Sequence, residues 1–527
     1  MRAPRGLTRG LIASAAILAV LFFSLPLTLP GSLRTRLARA LGERFGGSVE
    51  IQSLSVSVFP RLRVAGGGVV IRRADAAELP PLISIRSFSG ETGLFGLLGS
   101  DLRIREVRLA GLEINIPPGG IDIDGKKDGG KDAKPANVTP APVPQDSRGR
   151  PAKSPIVVDH LVSEDALLRI LRREPAKKPR EFRIATLTME DTGAETPWAF
   201  TASLTNPTPP GRIDTHGTFG PWSAESPART PLAAAFTFRD ADLGFFKGIA
   251  GLLQASGKFS GVLERIEVDG KADVQNFALD SGDHPMALAT TFHSIVDGTN
   301  GNTWLQPVDG TFQQTTAHAS GGVVERETKD GRTVTLDIAM DRARIEDILL
   351  LAVKADRPAL TGGLTLKAKF ELPPGEGSAL QKLALDGSFS IDDARFTSGG
   401  IQGKVNALSQ KAQGDTGTPD DVVSDFKGKF LMRGGVIRFS SITFAMPGAK
   451  VSLAGSYATA SQAMDFKGTV QLDAKLSELT TGMKSMFLKV LDPVFRRRGR
   501  TAIPITIGGT AKAPKVGLDV VRAFTPK

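Results

Sequence analysis

Five histidines, His160, His216, His284, His293 and His318, are the side chains best suited to metal binding or proton transfer, and they stand alone. None has a second ligand at metal-binding spacing. The chain has no cysteine, which excludes thiolate ligands, cysteine nucleophiles and disulfides. No G-x-S-x-G elbow occurs. "SDFK", Ser424 to Lys427, matches S-x-x-K but falls in a strand pattern instead of at a helix start. "GKKDGGKD", Gly125 to Asp132, has phosphate-loop spacing, yet Asp132 stands where a Ser or Thr must meet the metal. The pairs Asp392–Asp393 and Asp420–Asp421 read as solvated turns. Nucleic-acid binding would interleave basic residues with stacking aromatics, and aromatics are only 6 %. The residues therefore predict no catalytic group, no metal, no cofactor and no nucleic acid.

What remains is apolar patterning. "MDFKGTVQLDAKL", Met464 to Leu476, alternates apolar or small with polar residues without a slip. That period predicts a strand with one dry and one wet face, and thirteen residues at about 3.3 Å would span roughly 43 Å. A related pattern, with glycine on the apolar face in mid-strand, recurs around Gly270, Gly387, Gly455 and Gly468. Mid-strand glycine marks a bend or a close approach, so its repetition on one face predicts a strongly curved sheet. The spacing is irregular and excludes a fixed-period solenoid.

The elements that would position this face follow along the chain. Leu11–Leu29 is nineteen residues without a charge, about 28 Å as a helix, and Arg2, Arg5 and Arg9 precede it. This predicts an uncleaved transmembrane anchor with a cytoplasmic N-terminus and an exported remainder. A cleaved signal peptide would have a shorter apolar region ending in a small-x-small site. Ser32–Gly47 reads as a basic amphipathic helix on the membrane surface, with Arg34, Arg36 and Arg39 toward headgroups. Of the thirty-nine residues from Pro117 to Pro155, fourteen are Gly or Pro, which predicts a linker.

By pattern the chain divides into a cytoplasmic tail (1–10), an anchor (11–30), a helix with a first β region (31–116), the linker (117–155), a β-groove region (156–476), a helix (477–500) and a terminal strand segment (501–527). Short helices are expected within Asp159–Glu174, Ala241–Leu253 and Ala343–Val353, and a longer one over Ser477–Arg500. The fold class expected is mainly β: a long, curved antiparallel sheet forming an apolar groove, with one transmembrane helix and a few short helices.

The net charge of +11 is spread over many elements and gathers beside the apolar N-terminal segment, which suits a membrane surface. Three Trp and one Tyr cannot build the two aromatic girdles of an outer-membrane barrel. The apolar faces must then meet a second sheet, as in a sandwich, or acyl chains in an open trough. Long strands, glycine bends and an anchor favour the trough. Its candidate lining is Ile266, Val268, Val274, Leu383, Leu385, Phe389, Ile391, Met464, Phe466, Val470, Leu472 and Leu476. Arg496, Arg497, Arg498 and Arg500 could meet headgroups or an acidic partner, or serve solubility. The rival is an envelope scaffold that assists outer-membrane protein assembly, its face closed by a second sheet.

Three regions resemble the AsmA-like family of diderm bacteria: "LARALGERFGGSVEIQSLSVSVFPRLRV" with "PLISIRSFSGETGLFGLLGSDLRIREVRLAGLEINI", then "GKFSGVLERIEVDGKADVQNFAL", then "AIPITIGGTAKAPKVGLDV". The last is similar to the family's terminal I-P-(I/V)-x-I-x-G-T…P segment. The resemblance implies an inner-membrane anchor, a periplasmic β-groove similar to that of bridge-like lipid-transfer proteins, and a role in phospholipid movement toward the outer membrane and in its integrity. The chain is shorter than the longest members, and the linker after Ile116 is not part of the family pattern.

Overall fold

Alternating apolar and polar residues become strand along most of the chain, and the computed structural model is mainly β. It describes residues 31–42, 47–57, 63–73, 79–91, 102–116, 156–171, 178–193, 196–221, 227–282, 284–326, 329–375, 377–413, 422–473, 496–497, 500–510 and 513–518. The expected tail (1–10), anchor (11–30) and linker (117–155), and most of the expected helix Ser477–Arg500, lie outside the described residues. Among the described residues no helix is long and apolar enough to cross a membrane.

The chain divides into two compact units, Met1–Ala241 with Ala255–Val268 and Val296–Gly301, and Asp242–Gln254 with Asp269–Ile295 and Asn302–Lys527. The first holds β1 (Gly47–Ser57), β2 (Arg63–Arg73), β3 (Ile83–Glu91), β4 (Leu102–Ile116), β5 (Ile156–Ile170), β6 (Arg180–Thr192), β7 (Trp198–Pro207), β8 (Pro210–Phe219) and nearly all of β9 (Pro231–Asp242). Residues of β10 (Ile249–Val262), β11 (Arg265–Leu279) and β12 (Met286–Val296) fall in both. The second holds β13 (Thr303–Phe312), β14 (Thr315–Arg326), β15 (Lys329–Arg344), β16 (Leu360–Leu372), β17 (Ala384–Phe396), β18 (Ser424–Arg433), β19 (Val436–Met446), β20 (Ala449–Ala458), β21 (Met464–Leu472), β22 (Arg496–Arg497), β23 (Arg500–Thr510) and β24 (Ala513–Leu518).

In the first unit, successive strands from β1 to β9 pair antiparallel, with one exception. β4 and β5 run parallel, from Leu102 opposite Ile156 to Ile116 opposite Ile170. This corrects the expectation of a purely antiparallel sheet. It also gives the linker a reason: a parallel neighbour can be reached only by a crossover that returns past the whole strand, here about 50 Å. Arg169 on β5 donates to Glu113 on β4 at 2.8 Å and to Glu181 on β6 at 3.1 Å, tying both sides of this junction.

Helix α1 (residues 31–42) lies against this sheet. Leu33 and Leu37 are buried with Ile51, Val56, Val64, Val69 and Ile71. Its apolar stripe is thus covered by protein and is not free to enter a bilayer, as the amphipathic pattern led us to expect. Arg34, Arg36 and Arg39 remain exposed on the other side.

Helix α2 (Ile345–Ala352) appears where Ala343–Val353 was expected to be helical. Two other expected helices are strand. Asp159–Glu174 contributes to β5, and its false helical period has a cause in the backbone at Asp165. Leu161 and Ser163 face Met189 and Leu187, and then Ala166 and Leu168 face Ile184 and Phe182. The step of three falls at Asp165, whose φ is 52°; the register with β4 and β6 stays continuous, and the local turn of the backbone leaves Glu164 and Asp165 exposed between buried Ser163 and Ala166, which imitates helical spacing. Ala241–Leu253 forms a short 3-10 turn, Leu243–Phe245, and then enters β10. Helix α3 (Gly399–Gln413) was not expected, because three glycines, Gly399, Gly400 and Gly403, fall within its first five positions ahead of the stripe of Val405, Leu408 and Ala412. Arg496, Arg497 and Arg500 lie in strands, not in the expected helix. The strand foreseen over Met464–Leu476 ends at Leu472, where the chain bends at Asp473. Asp392 and Asp393 sit in a bulge of β17 rather than in a turn, and both are exposed.

Candidate functional site

The second unit carries the most extensive apolar face. Residues directly opposite in neighbouring antiparallel strands share a face, so the registers define its rows. One row runs Phe370, Leu385, Met432, Ile437, Tyr457, Met464 from β16 to β21. The next runs Ala368, Gly387, Phe430, Phe439, Gly455, Phe466, Ile507 and reaches β23. A third runs Leu366, Phe389, Gly428, Ile442, Leu453, Gly468, Ile505. A fourth runs Leu364, Ile391, Phe426, Phe444, Val451, Val470, Ile503.

Glycine on these rows does specific work. A Cβ added at Gly387 would lie 2.6 Å from the Lys367 carbonyl oxygen, 2.9 Å from the Ala368 Cβ and 2.9 Å from the Phe430 ring. Opposed Cβ atoms in a flat antiparallel pair are about 4.5–5.5 Å apart, so the backbone is bent here with the apolar face inward. At Gly468 the added carbon would overlap the Ser452 carbonyl oxygen and come within 2.7 Å of Leu453. The freed space is taken by rings. Phe389, Phe430 and Phe439 lie 6.3 to 6.5 Å apart by centroid, and Phe466 is 5.8 Å from Phe439.

Coverage divides the face. The fourth row lies beneath helices. α2 packs Ile345 on Ala343, Leu364, Ile391 and Ala394, and α3 packs Val405 and Ala412 on Met446, Ala449 and Leu472. Buried polar contacts fix α2: Asp347 accepts from the Thr315 hydroxyl at 2.8 Å and from the Gln314 amide at 3.2 Å. On α3, Ser409 donates to the Pro447 carbonyl at 2.7 Å, and Gln402 donates to that of Val422 at 2.9 Å. The first three rows contain large side chains that stay half-buried, among them Leu385, Phe430, Ile437, Phe439, Ile442, Leu453, Tyr457 and Met464, while Met432 is buried and Leu366 and Phe389 pack against the α2 cluster. A second sheet packed on them would bury them as fully as Leu472, which is 2 % exposed.

The candidate lining therefore separates. Leu385 and Met464 stand half-buried on the uncovered rows, with Phe466 buried among them, and Phe389 is half-buried against the α2 cluster. Ile391 and Leu472 are core positions closed by α2 and α3, and Val470 packs against the latter cluster. Leu383 is half-buried just before β17, and Val274 on β11 is buried in the same unit. Ile266 and Val268, also on β11, are half-buried and belong to the first unit. Leu476 lies outside the described residues. Phe430, Phe439, Ile442, Leu453 and Tyr457 were missed. Phe430 and Phe439 stand in "FKGKF" and "VIRF", and Leu453 and Tyr457 in "VSLAGSY" around Gly455; on β19 the register slip between Phe439 and Ile442 breaks the alternation.

The opposite face is polar. A cleft of about 1240 Å³ crosses β13 to β21, lined by Ala368, Gly387, Phe430, Phe439 and Gly455 of the second row together with Asp337, Lys367, Lys369, Asp386, Ser388, Lys429, Arg438 and Asp465 from the alternating positions. Two histidines form exposed pairs with carboxylates, His293 with Asp269 at 2.8 Å and His318 with Asp309 at 2.7 Å. Among the described residues no three His, Asp or Glu side chains are grouped to hold a metal ion. No protein-family model, no curated protein and no solved structure matches the chain.

Proposed function

We propose that this protein binds phospholipid acyl chains on the uncovered apolar rows of the second unit. The observation that carries the reading is the state of those rows: large aliphatic and aromatic side chains, continuous over β16 to β23, bent inward and, Met432 and Phe466 apart, only half-buried. An apolar area of this extent is costly to leave in water, and acyl chains suit it because they ask for no hydrogen bonds. The resemblance to AsmA-like proteins and the charge-free stretch Leu11–Leu29 agree with it. On this reading the chain is a non-enzymatic, single-pass inner-membrane protein whose bulk lies in the periplasm, where it supports phospholipid transport to the outer membrane or the integrity of that membrane. Purification followed by lipid extraction and mass spectrometry should find stoichiometric phospholipid. A lipid-free protein that still supports outer-membrane protein assembly would favour the scaffold reading.

A further inference from the structure

The turn between β9 and β10 breaks the rule that the rest of the sheet obeys. Three of the seven large apolar side chains exposed among the described residues, Phe245, Phe246 and Leu252, fall within eight positions. Phe245 is 55 % exposed and Phe246 39 %. Their rings meet edge to face at 5.7 Å and 89°. Leu252 occupies a position of β10 whose alternate neighbours, Gln254, Ser256 and Lys258, are exposed and polar. The turn is a held structure. The Asp242 carboxylate accepts from the Gly244 amide at 2.8 Å, and the Lys247 carbonyl accepts from the Ala379 amide at 3.4 Å. Lys247 is itself exposed beside the rings.

We infer that this tip is a bilayer contact, with Phe245 and Phe246 entering the interfacial region, Leu252 following, and Lys247 meeting anionic headgroups. Aromatic rings with an adjacent cation suit the membrane–water interface, where the ring enters and the ammonium stays with phosphate. Area argues against a protein partner. At these exposures two phenylalanines and a leucine offer on the order of 250 Å², well short of the roughly 600 Å² that each partner contributes to even a small stable protein interface. A membrane needs only the tip. The assignment does not depend on the groove reading, because the tip is exposed rather than on the apolar rows.

The absence of cysteine makes the test direct. Full-length chains carrying Phe246→Cys, Leu252→Cys or Lys258→Cys, each labelled with an environment-sensitive fluorophore, are mixed with vesicles of phosphatidylethanolamine and phosphatidylglycerol. The label at 246 should shift to the blue, brighten severalfold and be quenched by lipids carrying a quencher on the acyl chain. The label at 258 should change little. Adding Phe245→Ser to the Leu252→Cys chain should reduce lipid quenching at 252 by half or more, with circular dichroism unchanged. A label at 246 as wet as that at 258 would overturn the assignment. So would one shielded by protein without lipid quenching. Neither result would touch lipid found by extraction, so the two readings fail separately.

Discussion

Leu472 and Phe439 lie on the same face of the same unit, and what lies over them differs. Leu472 has α3 above it and is closed in with Val405, Ala412, Met446 and Ala449. Phe439 sits among Phe389, Phe430 and Phe466, half-buried, with no helix packed on it. Residue type does not separate the two places, since both are apolar and both alternate with polar neighbours. Cover does. The covered part stabilises the fold, and the uncovered part is available to a mobile occupant.

The sharpest way to break this comparison is to put the same charge in both places. Leu472→Asp buries a carboxylate without a partner and should cost about 3–5 kcal/mol or more, seen as a collapsed thermal transition. Phe439→Asp should cost less, about 1–3 kcal/mol for the lost ring contacts, because water reaches the new carboxylate, yet abolish lipid co-purification. Equal destabilisation at the two positions would mean that the uncovered rows are a closed core.

Removing the cover is the next test. Asp347 is buried and holds α2 through Thr315 and the Gln314 amide. Asp347→Ala leaves both donors without their acceptor and should cost about 1–3 kcal/mol. Hydrogen exchange should quicken in residues 345–352 and in the strand ends beneath, while co-purifying lipid is not reduced. Loss of lipid together with α2 protection would show that the helix, and not the open rows, holds the ligand.

The strands of this architecture were legible because alternation survives wherever pairing is regular, as at Met464–Leu472. Glycine bends were legible too, since Gly387, Gly455 and Gly468 sit on the apolar face and each lies against a neighbouring strand too closely for a side chain. What misled was local irregularity of the backbone. The positive φ at Asp165 imitated a helix, and the register slip after Phe439 broke the alternation along β19. Cover was not legible at all. Nothing local to Leu472 says that a helix sixty residues earlier in the sequence will close over it, so core and open positions were grouped together.

The smallest effect expected is also the most specific. Tyr457 is the chain's one tyrosine and lies on the uncovered row between Ile437 and Met464. Partial burial disfavours its phenolate and raises the pKa above the ordinary value of about 10. The sign for stability follows. Below pH of about 10 the phenol is neutral both folded and unfolded, and burial costs nothing in charge. Above it the unfolded chain ionises first, so Tyr457 makes stability fall as pH rises toward the folded value. Ultraviolet titration of the native protein should therefore give a midpoint above that of the denatured protein. If acyl chains displace water from this row, adding phospholipid should raise the native midpoint further and leave the denatured one unchanged. A midpoint that ignores lipid, while lipid is bound, would place the occupant elsewhere than beside Tyr457.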